Sequence, residues 1–67
     1  MIFDVKGYKL NKVTGNYEEK MQRYCAYADL AHAEAKKYTT EWEYDFATVR
    51  QCDTNEITYY IKGKIVA

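Results

Sequence analysis

The chain has 67 residues, enough for one domain, and a domain of this size buries only about 60% of the surface its unfolded form exposes. Eight Tyr, two Phe and one Trp supply that burial with large rings and exclude a disordered chain, which is normally poor in aromatics. Ten basic residues against ten acidic ones leave a formal net charge of zero, without the overall cationic excess that duplex DNA or an anionic membrane selects.

The first stretch, MIFDVKGYKL, carries Asp4 inside its apolar run and does not read as an export signal. No segment approaches the roughly 20 apolar residues of a bilayer span, so a cytoplasmic location and no membrane partner are expected. In a reducing compartment Cys25 and Cys52 are expected as small buried side chains, although their pairing stays open.

Residues 2–10 form the first predicted strand, with Ile, Phe, Val and Tyr interleaved with charge. A bulge at Gly7 would bring Phe3, Val5, Tyr8 and Leu10 to one face. The LNKVTGN segment then supplies turn chemistry. Residues 17–27 admit two readings. As a helix, Tyr17, Met21 and Tyr24 open an amphipathic series running to Tyr38, giving one helix over 17–40 and a β-α-β-β fold. As a strand, Met21, Cys25 and Tyr27 share a face, and the aromatic content favours this reading.

From Asp29, taken as the helix cap, to Glu41 the chain reads as a helix with Ala31, Ala35, Tyr38 and Trp42 as its apolar stripe. Residues 46–52 form a strand, DTNE a turn, and 57–66 a last strand with Ile57, Tyr59, Ile61 and Ile65 on one face. The expected fold is α+β over residues 1–67: an antiparallel sheet of about four strands with one helix packed on one face, in β-β-α-β-β order. Phe3, Val5, Ala31, Ala35, Tyr38, Val49, Ile57, Tyr59 and Ile61 are expected between helix and sheet.

Chemistry is thinly represented. There is no Ser, and one His with two distant Cys makes neither a zinc pattern nor a strong nucleophile–base pair. Glu43 and Asp45 beside Trp42 are the one acidic candidate. No catalytic residue, metal site or cofactor is assigned, and the chain is not expected to be an enzyme.

The open sheet face is the expected working surface: Arg50, Tyr60, Lys62 and Lys64, extended by Tyr24, make a basic and aromatic stripe. Exposed Tyr and Arg are enriched at protein interfaces, which favours a protein partner. Aromatic platforms with nearby cations also hold single-stranded nucleic acid, the alternative partner. On such a surface Arg50→Glu and Lys62→Glu are expected to leave folding nearly intact.

A strand pair, a helix with the body ADLAHAEAKKY, a TVR strand and the strand ITYYIKGK together resemble the small β-β-α-β-β proteins of phages and mobile elements. Some anti-CRISPR inhibitors are of this kind. The resemblance implies a phage-encoded inhibitor that occupies a partner's surface without catalysis, and it carries no residue-specific role.

Overall fold

A computed structural model describes residues 2–67. In chain order they form β1 (Phe3–Leu10), β2 (Tyr17–Cys25), α1 (Ala28–Thr40), β3 (Phe46–Gln51), β4 (Ile57–Ile61) and β5 (Lys64–Ile65). The strands make one sheet in the order β2-β1-β3-β4-β5, every neighbouring pair antiparallel. Helix α1 joins β2 to β3 and packs on one face, giving the α+β architecture expected.

Residues 17–25 are a strand, so the helix over 17–40 does not form. The ladder with β1, from Leu10↔Tyr17 to Phe3↔Cys25, satisfies the backbone of a segment whose aromatic residues have modest helix propensity. The helix starts at Ala28 with Tyr27 in the capping position, and Asp29 lies in its first turn. There the carboxylate complements the helix dipole instead of capping an amide.

The bulge near Gly7 exists, but its extra residue is Lys20 on β2: Gly7 faces Met21 and Tyr8 faces Glu19. Strand β1 therefore alternates without interruption. Phe3, Val5 and Gly7 face the helix, while Tyr8 falls on the open face and stacks there on Phe46. Gly7 is needed for space. A Cβ built there would meet the Tyr44 ring, with Cε2 at 2.9 Å, and Tyr38 Cδ2 at 3.2 Å.

The last expected strand breaks into a hairpin. Lys62 and Gly63 both have positive φ, 51° and 77°, the two-residue turn geometry that matches strand twist. The longer hairpin turns, Asn11–Asn16 and Gln51–Glu56, share one plan at opposite ends of the sheet. In each the first residue donates to the sixth and accepts from the fifth, Gly15 or Asn55, which sits at positive φ.

The core comprises Phe3, Val5, Ala31, Ala35, Tyr38, Ala47, Val49 and Tyr60. Six of the nine expected members belong to it, but Ile57, Tyr59 and Ile61 do not. Strand β4 is turned over: Tyr60 is 6% exposed and lies beside Ala47, the small neighbour that makes room for its ring. Ile57, Tyr59 and Ile61 keep 40% to 45% of their surface exposed.

Candidate binding surface on the open sheet face

The face away from α1 is built by alternate residues of four strands. Strand β1 contributes Asp4, Lys6 and Tyr8; β2 contributes Tyr17, Glu19, Gln22 and Tyr24; β3 contributes Phe46, Thr48 and Arg50; β4 contributes Ile57, Tyr59 and Ile61. At its centre Tyr8 and Phe46 stack with ring centroids 4.5 Å apart and planes 12° apart. Tyr17 meets Phe46 edge-on at 5.1 Å, and Tyr59 lies 6.4 Å from it on the other side. Beyond Tyr59 the surface dips into an apolar concavity of about 400 Å³ lined by Phe46, Tyr59, Ile61, Val66 and Ala67.

One end of this face is polar. Asp4, only 4% exposed, accepts from Arg50 Nη2 at 3.3 Å and from Gln22 Nε2 at 3.0 Å. Arg50 also donates to Asn55 Oδ1 at 2.9 Å, so the turn after β3 holds its guanidinium in place. Lys6 pairs with Glu19 at 3.3 Å, and that hydrogen bond with its charge raises the lysine pKa. The cations in the middle of the sheet are thus neutralised by acids on the same face.

Of the expected site residues, Tyr24 and Arg50 do lie on the open face, opposite and beside Asp4. Lys64 pairs with Ile61 at the sheet edge and is exposed. Tyr60 is a correction. It points to the helix, where its hydroxyl lies 2.7 Å from His32 Nδ1, because the hairpin register places Tyr59 outward and Tyr60 inward. Lys62 is a second correction: the turn carries it off the strand face to border a polar hollow with Thr39, Thr40 and Glu43. The stripe therefore splits, and the residues brought together are Tyr8, Tyr17, Phe46, Tyr59 and Ile61. The signal for them was the alternation of FATVR and of Tyr8 with Lys6, once Gly7 is not read as a face switch.

The remaining candidates have structural work. Asp45 accepts from the Leu10 amide at 2.6 Å and the Glu43 carbonyl from Lys9 Nζ at 2.9 Å, so both clasp the end of β1. Cys25 lies opposite Phe3 on one side of β1, and Cys52 bonds Ile2 on the other. Two strand spacings, on the order of 10 Å, exceed the reach of a disulfide, and both thiols are free. Burial, then the Glu34 charge, pushes the Cys25 thiol up. Among the described residues no group of three or more His, Cys, Asp or Glu converges as a metal site, and no helix is long and apolar enough to cross a membrane.

Compared with family models, curated proteins and solved structures, the chain matches none.

Proposed function

We propose that the protein is a non-catalytic binding module whose open sheet face docks on a protein partner. The observation carrying this reading is the continuous surface of Tyr17, Phe46, Ile57, Tyr59, Ile61 and Val66, five of which are 40% to 55% exposed. Phe46 is half-buried beneath them. Isolated exposed apolar side chains are ordinary, but a contiguous aromatic and aliphatic patch rimmed by polar groups is the composition of an interface. Arg50, held by Asp4 and Asn55, is a preorganised anchor at its rim. The inhibitor role implied by the likeness to anti-CRISPR proteins is one form of this proposal and rests on chain length, composition and the β-β-α-β-β succession alone.

Single-stranded nucleic acid is the second reading, favoured by Tyr8 opposite Phe46 and Tyr59 diagonal to it, three rings on three neighbouring strands. It is the weaker one. Lys6 and Arg50 are already paired with carboxylates, and Tyr8 and Phe46 spend a face on each other.

The test uses the intact protein and its Ile61→Asp variant as baits in lysate of the native host. A protein retained by the first and lost by the second, with unchanged circular dichroism, supports the reading. Equal capture removes the open face from it. Oligonucleotide binding that falls steeply with salt transfers the face to nucleic acid.

A further inference from the structure

Strand β2 is the long free edge of the sheet. It has nine residues, and the opposite edge, β5, has two. Its outward backbone groups follow from register. The Cys52 amide donates to the Ile2 carbonyl, so even-numbered residues of β1 bond toward β3 and odd-numbered ones toward β2. Hence Glu18, Met21, Arg23 and Cys25 bond inward to β1, while Tyr17, Glu19, Gln22 and Tyr24 present their amides and carbonyls to solvent.

We propose that two copies of this chain pair edge to edge through β2, antiparallel about a two-fold axis between Lys20 and Met21. In that register Tyr17 opposes Tyr24, Glu18 opposes Arg23 and Glu19 opposes Gln22, each contact occurring twice. The bulge at Lys20 makes this possible. In an unbroken strand, partners in this register would point to opposite faces and their hydrogen-bonding groups would not meet. The extra residue shifts both alternations, so Tyr17, Glu19, Gln22 and Tyr24 all bond outward with side chains on the open face.

Charge disfavours three competing registers. Pairing the first half of β2 with itself sets Glu18 against Glu18; pairing the second half sets Arg23 against Arg23; sliding the symmetric pairing one residue each way toward the C-terminal end sets Lys20 against Arg23. Like charges directly opposite are unfavourable. The proposed register instead sets Glu18 against Arg23 in a non-hydrogen-bonded position, where cross-strand side chains come closest. It also covers Tyr17 and Tyr24, 55% and 61% exposed in the single chain. Charged edges usually protect against such pairing, but here both signs are arranged to complement a second copy. Arg23 meets Glu34 at 3.7 Å, and Glu18 meets Lys20 and accepts from Asn11 Nδ2 at 3.2 Å each; Arg23, Glu18 and Lys20 are well exposed, so these contacts are weak competitors. Of the docking patch only Tyr17 lies on this edge, so the pairing leaves Phe46, Ile57, Tyr59, Ile61 and Val66 uncovered.

Sedimentation of the full chain over a concentration series to about 1 mM should show twice the 7.9 kDa chain mass at the upper end. Glu18→Arg or Arg23→Glu alone should weaken the dimer roughly tenfold, and the two together should restore it. The amides of Tyr17, Glu19, Gln22 and Tyr24 in the unmutated protein should exchange more slowly as concentration rises, a readout that needs no variant. A monomer at every concentration overturns the proposal. So does a dimer indifferent to both reversals, a double reversal that fails to restore, or unprotected amides at those positions.

Discussion

His32 Nδ1 and the hydroxyl of Tyr60 lie 2.7 Å apart, joining the middle of α1 to β4 across the core. The rings are 5.7 Å apart and tilted by 54°, so they touch by the hydrogen bond and not by stacking. Tyr60 can fill the space above Ala47 because its polar end has a partner; a buried hydroxyl without one is costly.

The turned-over β4 reverses the mutational ranking that alternation alone predicts. Tyr60→Ala should cost about 3–5 kcal/mol, and Tyr60→Phe about 0.5–1.5 kcal/mol for the lost hydrogen bond. Ile61→Ala, at an exposed position, should cost less than about 1 kcal/mol. Urea unfolding of the three variants measures the order, and a larger loss at Ile61 than at Tyr60 would contradict the register of β4.

Arg50→Glu will not be silent. It sets a second carboxylate against Asp4, which is buried and held by Arg50 and Gln22. The expected loss is about 1–3 kcal/mol, the cost of stranding a buried polar group. Lys62→Glu changes an exposed turn residue and should stay within about 0.5 kcal/mol. Thermal unfolding of both single variants, compared at one ionic strength, checks the difference.

Tyr38 is fully buried, and its hydroxyl lies by Glu34 without a well-formed hydrogen bond. Burial, and then the Glu34 charge, pushes its pKa from 10.0 up to about 12. The unfolded chain thus releases this proton first. The contribution to stability is complete below pH 10 and is lost as pH rises toward 12. Tyr38→Phe should flatten the decline of unfolding free energy across that window; an unchanged pH profile would show that other groups cause it.

Gly7→Ala should lower stability by about 1–3 kcal/mol, because the new methyl group meets the rings of Tyr44 and Tyr38 in a packed core. Adding Tyr44→Leu should recover part of the loss, since the Tyr44 ring is the nearest obstacle. A double-mutant cycle on thermal midpoints reads the coupling.

The Ala- and Lys-rich helix and the succession of elements along the chain were legible from composition and turn chemistry, and aromatic content alone favoured a strand over a helix at 17–27; the β1–β3 pairing that sets the sheet order had no local signal. The facing of β4 was not legible either. Ile57, Tyr59 and Ile61 outrank Thr58, Tyr60 and Lys62 in hydrophobicity, yet the sheet keeps its more apolar β4 face outward and sets Tyr60 against Ala47. That choice depends on register with β3 and on the reach of His32, neither of which is written into β4. The candidate surface was half legible for the same reason. Tyr24 and Arg50 were placed by simple alternation, whereas Tyr8 was hidden by reading Gly7 as the bulged residue. The extra residue, Lys20, lies in the partner strand, where nothing local marks it.

The strand order β2-β1-β3-β4-β5 also divides assembly into near and distant steps. The pairs β1–β2, β3–β4 and β4–β5 are hairpins closed by short turns, so each can form with little loop entropy to overcome. Among the strand pairs of the described residues, only the β1–β3 seam, from Phe3↔Gln51 to Tyr8↔Phe46, joins residues far apart in the chain, and α1 lies between them. Local hairpins form in microseconds, whereas non-local pairing slows folding. The folding transition state is therefore expected to sit at that seam, where Val5→Ala and Val49→Ala should slow refolding and substitutions in the β4–β5 turn should mainly speed unfolding.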